Sequence, residues 1–315
     1  MLPSLRRRRY WADMLIIKAI VKILVGTIFT LIVGLALLLA VFSSDEFGDK
    51  MPEDASASGS DARGFPAPTK RAQNQNDEGG EPLPAPAPFD DQSRVVAQSA
   101  RNWSSGTGFA IADNSIWLTA KHVAQGCNRL GILNDVGRIA VKARAIYISD
   151  TADIAIFKTE GGPGPLTLDL DESDMKVGAR GFHIGYPQGK PGEVTSRLIG
   201  RELMITEGAW RGKEDTLAWA ETGRTPGLNG TLGGLSGGPA FDGAGKVVGI
   251  TIAENPRRGR VITTAARSIA IALNEANISA NGTIFEPLNV ADFSAQAKSL
   301  RADLKIVQVI CLTDG

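Results

Sequence analysis

One serine, Ser236, stands inside the glycine-rich run Gly233-Gly234-Leu235-Ser236-Gly237-Gly238-Pro239. Glycine permits sharp turns, and such turns expose backbone N–H groups. Acyl-transfer chemistry needs an exposed hydroxyl beside N–H donors that stabilise a developing oxyanion. The run therefore predicts a nucleophile loop centred on Ser236, and an ordinary glycine-rich hairpin loop is the alternative.

The order of the candidate catalytic residues along the chain separates several folds. A serine nucleophile needs a base, and both histidines, His122 and His183, precede Ser236. The α/β-hydrolase order is Ser, acid, His, so that fold is excluded as a catalytic model. In the order His, Asp, Ser, the candidates are His122, Asp153 and Ser236, because Asp153 directly precedes the apolar segment 154–157.

Two other assignments of the triad stay open on the residues alone. Asp150 lies close to Asp153 and is an alternative acid. A subtilisin-like order would use Asp153, His183 and Ser236, but it requires a parallel α/β pattern that the sequence lacks. His183 precedes an Ile-Gly turn and is interpreted as a structural residue.

The pattern of the globular part indicates an all-β fold. From about residue 93, short apolar runs alternate with Gly, Asn, Asp and Pro, as expected for many short strands in a barrel or sandwich. Asp113-Asn114 predicts a hairpin turn. Helical patterns come late, at 268–276 and 290–304, and a strand is predicted at 306–310.

Five segments, in this order, resemble the trypsin/chymotrypsin superfamily and above all its bacterial Deg/HtrA-like branch. They span about residues 93–275, and each is weak when taken alone. They are Ser105-Gly106-Thr107-Gly108-Phe109, Leu118-Thr119-Ala120-Lys121-His122-Val123, Thr151-Ala152-Asp153-Ile154-Ala155, Ile184-Gly185-Tyr186-Pro187 and Gly234-Leu235-Ser236-Gly237-Gly238-Pro239. The resemblance implies two six-stranded antiparallel β-barrels with the triad in the cleft between them.

The resemblance also implies a role for each residue. His122 would take the proton of Ser236, Asp153 would hold the imidazole, and the N–H groups of Gly234 and Ser236 would form the oxyanion hole. The implied activity is a serine endopeptidase acting on protein or peptide substrates, with no cofactor and no metal. A catalytically silent, peptide-binding domain is the alternative, and an esterase on the same scaffold is a third reading.

The sequence departs from the family pattern in two ways. Leu235 stands where digestive members carry an aspartate that pairs with a newly cut N-terminus, so activation by such a cut is not expected. Only about 40 residues follow Ala276, so no PDZ module is expected. The specificity pocket is expected near Asn229-Gly230 and the strand 251–254, where Glu254 either attracts a basic side chain or is solvated.

The N-terminal part predicts a membrane anchor. Residues 1–22 form a basic cytoplasmic segment, and residues 23–42 are uncharged, almost wholly apolar and long enough to span a bilayer. The basic flank orients the remainder outward, which predicts a single-pass inner-membrane protein with a periplasmic catalytic domain. A cleaved signal peptide is the alternative, although Val41-Phe42-Ser43-Ser44 is a poor cleavage site. Residues 43–91, rich in Pro, Gly and acidic residues, predict a disordered linker.

Charge, domain bounds and cysteine content give three further predictions. The chain has 34 Lys and Arg against 34 Asp and Glu, so no nucleic-acid partner is predicted. Residues 92–282 are expected to form the protease-like domain, on which the helix and strand of 283–315 dock. Cys127 and Cys311 both fall in the exported part, which favours a disulfide between them over two buried thiols.

Overall fold

The computed structural model of this protein describes residues 79–88, 90–97, 102–134 and 137–313. These residues are predominantly β-structure, as the sequence predicts. The strands are β1 (Asp91–Ala97), β2 (Trp103–Ala112), β3 (Ile116–Thr119), β4 (Arg129–Leu133), β5 (Ile139–Ile148), β6 (Ala155–Thr159), β7 (Arg180–Gly185), β8 (Gly192–Gly208), β9 (Gly212–Arg224), β10 (Pro239–Phe241), β11 (Val247–Asn255), β12 (Arg260–Thr264) and β13 (Ile306–Leu312). The α-helices are α1 (Lys121–Ala124), α2 (Ala266–Glu275) and α3 (Phe293–Ala302), with 3-10 turns at Pro187–Gly189 and Pro256–Arg258.

The first barrel is closed and has six strands, in the order β13-β2-β3-β6-β5-β4. Its interior is apolar: Phe109, Leu118 and Phe157 are fully buried. Trp117 stacks on Phe157 with ring centroids 5.8 Å apart. The β2–β3 hairpin turns at Asn114, whose φ of 61° suits the turn predicted at Asp113-Asn114.

The second sheet has seven strands, in the order β1-β8-β7-β10-β11-β12-β9. Because β8 also pairs with β9, the six strands of this sheet other than β1 form a continuous ring of pairings. β1 pairs with β8 outside that ring. The expectation of two six-stranded antiparallel barrels is therefore confirmed for the first barrel and corrected for the second sheet. β8, at 17 residues, extends well beyond its neighbour β7, and β1 pairs in parallel with the remaining edge at 202–208.

The C-terminal strand is part of the first barrel. β13 pairs with β2 on one side and with β4 on the other, and it thereby closes the ring. The sequence led us to expect a strand docked on a finished domain, whereas Ile306, Val309 and Cys311 are buried in the barrel itself. A disulfide joins Cys127 to Cys311, as the cysteine pattern predicts.

The end of the predicted linker is attached to the segment that precedes β7 of the second sheet. Gly80 N donates to Val177 O at 2.7 Å, and Leu83 N donates to Met175 O at 2.8 Å. Residues 79–88 therefore lie along the domain, because the loop at 175–177 offers them backbone acceptors. The predicted span 23–42 and the segment 1–22 lie outside the described residues, and no helix within the described ranges is long and apolar enough to cross a membrane.

Candidate active site

His122 and Asp153 form a close pair between the first barrel and the second sheet. His122 lies on α1, the single turn that follows β3, and Asp153 directly precedes β6, which pairs with β3. His122 Nδ1 lies 2.6 Å from Asp153 Oδ2, and His122 N donates to Asp153 Oδ1 at 3.0 Å. Because an ionised carboxylate only accepts, Nδ1 carries the proton and Nε2 of the neutral ring is free to act as a base.

The electrostatics of the pair raise the pKa of the His122 imidazole. Burial lowers the pKa of His122, but the charge of Asp153 and the hydrogen bond to it outweigh burial and leave that pKa above its ordinary value of 6.5. The Asp153 side chain is 6% exposed, whereas the His122 side chain is 33% exposed. The ring is therefore held from behind by the aspartate and open toward solvent, as an acid–base group that meets a substrate must be.

Ser236 lies on a loop whose shape depends on two glycines. Gly234 has φ = 98° and Gly237 has φ = 87°, in the left-handed region where a side chain is strained. A Cβ on Gly237 would also lie 2.1 Å from Thr107 O. The glycine-rich run is therefore a tight loop against the first barrel rather than an ordinary hairpin loop.

The backbone N–H groups of this loop fall into two sets. Leu235 N donates to Leu232 O at 2.8 Å, and Gly237 N donates to Thr251 O at 2.7 Å. The N–H groups of Gly234 and Ser236 have no hydrogen-bond acceptor among the described residues. The two groups expected to form the oxyanion hole are thus free to donate to a ligand.

Two residues that the sequence did not assign a role hold this loop in place. Thr107, on β2, donates through Oγ1 to Gly234 O at 2.8 Å and through N to Ser236 O at 2.8 Å. Gln188 N donates to Gly233 O at 2.6 Å. Thr107 falls within a segment that carries the family resemblance, but its spacing alone does not reveal a contact to a loop 127 residues away.

His122, Asp153 and Ser236 line one cleft of about 1020 Å³. No hydrogen bond joins Ser236 Oγ to His122 within the described part of the chain, a looseness that is common in catalytic sites without substrate. The other lining residues come from β1, the start of β2, the β8–β9 hairpin, the serine loop and β11. They are Val95, Val96, Ala97, Trp103, Ser104, Met204, Thr206, Trp210, Leu232, Gly233, Leu235, Thr251, Ile252, Ala253 and Glu254.

The competing candidates lie elsewhere. Asp150 is exposed, and the structure pairs Asp153 with His122 rather than with His183. His183 is fully buried, with Nε2 2.7 Å from Ser196 Oγ and Nδ1 3.2 Å from Thr251 Oγ1. Burial lowers the pKa of His183 to about 3, so it is a neutral residue of the second sheet.

The sequence predicts no ion pair for Leu235, and it leaves Glu254 two interpretations, a partner for a basic side chain or a solvated residue. Leu235 is 1% exposed and packs in the apolar cluster that contains Trp219, so no ion pair forms at its position. Glu254 accepts hydrogen bonds from Thr231 Oγ1 and, at 2.9 Å, from Leu232 N. Glu254 therefore anchors the start of the serine loop, and the reading of a merely solvated glutamate was incomplete.

Part of the chain is similar in sequence to known proteins. Residues 106–250 match the family model described as a trypsin-like peptidase domain. A probable periplasmic serine endoprotease, DegP-like, of Pseudomonas savastanoi pv. phaseolicola is 30% identical over 190 residues, which cover 58% of this chain and 36% of that protein. Its counterpart in Halomonas elongata is 29% identical over 147 residues, covering 47% and 29%. The chain thus spans about a third of the length of the curated relatives it matches.

Among solved structures, the active form of the Rv3671c protease from M. tuberculosis aligns with a TM-score of 0.47 at 17% identity, over 65% of this chain and 98% of that one. Its inactive form aligns with a TM-score of 0.46 at 21% identity, over 56% and 87%. No group of three or more His, Cys, Asp or Glu side chains suited to a metal ion occurs in the described ranges. Residues 106–250 of this chain are therefore similar in sequence to trypsin-like peptidase domains, and part of the chain is similar to DegP-like serine endoproteases.

Proposed function

We propose that this chain is a serine endopeptidase that hydrolyses peptide bonds through an acyl-enzyme, with His122, Asp153 and Ser236 as its catalytic triad. The observation that supports this most is the 2.6 Å contact between His122 and Asp153 in the same cleft as Ser236. The names of the relatives, serine endoproteases, agree with it.

In the proposed mechanism, Ser236 Oγ attacks the scissile carbonyl while His122 Nε2 accepts its proton. Asp153 stays ionised, fixes the tautomer and stabilises the imidazolium that forms. The N–H groups of Gly234 and Ser236, which have no acceptor among the described residues, would receive the oxyanion of the tetrahedral intermediate. His122 then gives its proton to the leaving amine, and water releases the acyl group by the same steps.

We further propose that residues 23–42 anchor the chain in a cytoplasmic membrane with the peptidase domain outside. Three observations support this: the uncharged apolar stretch, its basic flank, and a disulfide between Cys127 and Cys311, which suits an oxidising compartment. The relatives are named periplasmic. Carbonate extraction of membranes, with protease added to intact spheroplasts, tests the arrangement: the chain should stay in the pellet and be cut only from outside. Release by carbonate, or protection from the added protease, would contradict it.

Peptide cleavage tests the proposed activity. The full chain is incubated with a proteome-derived peptide mixture, and new termini are mapped by mass spectrometry. Ser236→Ala should abolish the new termini, while Ser299→Ala, an exposed serine on α3, should leave them unchanged. Peptide binding without cleavage in the wild type would instead favour a silent binding domain.

A further inference from the structure

A second buried carboxyl group, Glu214, lies behind the His122–Asp153 pair. Glu214 belongs to β9, is 4% exposed, and accepts the backbone N–H of Asp153 through Oε2 at 2.8 Å. The side chain of Asp153 in turn binds both N and Nδ1 of His122. A continuous chain of contacts therefore runs from the β8–β9 hairpin, through the main chain of Asp153, to the imidazole.

The surroundings of Glu214 disfavour its ionised form. Its Oε1 is buried and has no hydrogen-bond partner among the described residues. Burial is the main cause that raises its pKa to about 8, the charges of Asp153 and Asp215 add to it, and the Asp153 N–H and the Ser268 hydroxyl act in the opposite direction. At neutral pH Glu214 is therefore mostly uncharged, and it holds Asp153 without competing with it for His122.

A buried lysine completes this cluster from the side of α1. Lys121, the residue before His122, donates through Nζ to Ser149 O at 2.6 Å, and Nζ lies 4.4 Å from the centre of the Trp210 ring at the hairpin tip. Its charge interacts with those of Asp150, Asp153 and Glu214. With Glu214 neutral, the charge of buried Lys121 interacts with that of buried Asp153. Ionisation of Glu214 would add a second negative charge to the back of the site.

We propose that Glu214 is a positioning residue for the reaction: by holding the main chain of Asp153 it keeps the aspartate aligned on His122. This inference rests on the proposed peptidase function. The neutral form of Glu214 is the form that supports catalysis. An ionised Glu214 would repel the Asp153 carboxylate and would change the pKa of His122. Activity should therefore decline as pH rises through the ionisation of Glu214.

Two variants of the full chain separate positioning from mere packing. Glu214→Leu removes the acceptor of the Asp153 N–H, and we expect kcat to fall about 10- to 100-fold with KM little changed, as for a misplaced catalytic group. Glu214→Gln keeps an acceptor oxygen and cannot ionise, so kcat should stay within about threefold of wild type and the alkaline decline should disappear. Glu202→Gln, which changes another buried glutamate of the same hairpin that pairs with Arg260, is the matched control and should keep the alkaline decline.

A second measurement tests the effect of Glu214 on His122 even if the chain shows no peptidase activity. NMR titration of the His122 ring should give a changed pKa in Glu214→Leu and a wild-type value in Glu202→Gln. If Glu214→Leu keeps both the wild-type kcat and the wild-type His122 titration, or Glu214→Gln keeps the alkaline decline, the inference is overturned. A wild-type chain that cleaves nothing would count against the proposed function, and the His122 titration would still test Glu214. If Glu214→Leu does not fold, the pH profile of Glu214→Gln decides.

Discussion

The hydroxyl of Thr107 is the point at which the first barrel holds the serine loop. It donates to Gly234 O at 2.8 Å and accepts from Tyr186 N at 3.0 Å, and it is fully buried. A second bond, from Thr107 N to Ser236 O, lies beside it. The Gly234–Leu235 and Ser236–Gly237 peptide groups are therefore both oriented by one residue of the first barrel.

Replacing Thr107 tests this hold. Thr107→Val keeps the shape of the side chain but leaves Gly234 O and Tyr186 N without their partner, which costs about 1–3 kcal/mol for each buried group left unpaired. We expect a lower melting temperature and at least about a tenfold loss of kcat, because the peptide group between Gly234 and Leu235 can then reorient. Thr107→Ser retains the hydroxyl and should recover most of both losses in steady-state kinetics and thermal melts. Equal loss of kcat in both variants would show that the hydroxyl has no such role.

A change of Asp153 should act on both the rate and its pH dependence. In Asp153→Asn the charge that raises the pKa of His122 is lost, so the acid limb of the kcat/KM profile should move to lower pH. The wrong tautomer should also reduce kcat by about 10⁴, as for triads of this kind. Asp150→Asn, at an exposed position, serves as the control and should match the wild type. The reverse pattern, a loss in Asp150→Asn alone, would identify Asp150 as the acid.

Individual residues differ in how much their local sequence reveals. His122, Asp153 and Ser236 each stand next to a strand or a glycine run, so their neighbours in the sequence indicate their roles. The roles of Thr107 and Glu214 come from contacts with Gly234 and Asp153 that are 127 and 61 residues away. Such contacts depend on the register of strands that meet only in the folded chain, and local patterns do not contain them.

Among the elements, β13 is tied by a disulfide to the segment that follows His122, the proposed catalytic base. It closes the first barrel between β2 and β4, and its Cys311 is bonded to Cys127, five positions after His122. The disulfide joins residues 184 positions apart, and such a long loop restricts the unfolded chain strongly. The bond should therefore stabilise the barrel that carries His122.

Removal of the disulfide measures that contribution. The double variant Cys127→Ser/Cys311→Ser should lose about 2–5 kcal/mol of unfolding free energy in urea denaturation. Wild-type protein treated with a reductant should lose a similar amount, and the double variant should not respond to the reductant. If the reductant leaves the wild type as stable as before, the bond does not contribute as we expect.

The strand pairings explain what the sequence could not predict about the elements. Apolar periodicity correctly indicates a helix near 268–276 and another within 290–304, since these patterns are local. It also indicates a strand at 306–310, but it does not name the neighbours of that strand. Pairing of β13 with β2, and of β1 with β8, is non-local and depends on which sheet edge is left open.

At the scale of the whole molecule, two buried groups make stability depend on pH in opposite directions. His183 has its pKa lowered from 6.5 to about 3, so the unfolded chain binds a proton that the folded chain refuses, and stability falls as pH falls below 6.5. Glu214 has its pKa raised from 4.5 to about 8, so stability falls as pH rises from 4.5 toward 8. Each slope is limited to about 1.4 kcal/mol per pH unit.

Urea titrations from pH 4.5 to 8.5 separate the two contributions. His183→Gln should lose the part of the slope that destabilises the wild type below pH 6.5. Glu214→Gln should lose the part that destabilises it between pH 4.5 and 8. Profiles parallel to the wild type in both variants would mean that neither group is perturbed by burial as described.

We infer that Ser236, activated by His122 and Asp153, is the nucleophile of this molecule, and a probe that reacts covalently with activated serines can establish this. The full chain is treated with a fluorophosphonate, and the adduct is located by peptide mapping. We predict a single adduct on Ser236, formed faster as pH rises through the titration of His122 and slowed strongly in Asp153→Asn. An adduct on another serine, or no adduct in folded wild-type protein, would show that Ser236 is not an activated nucleophile.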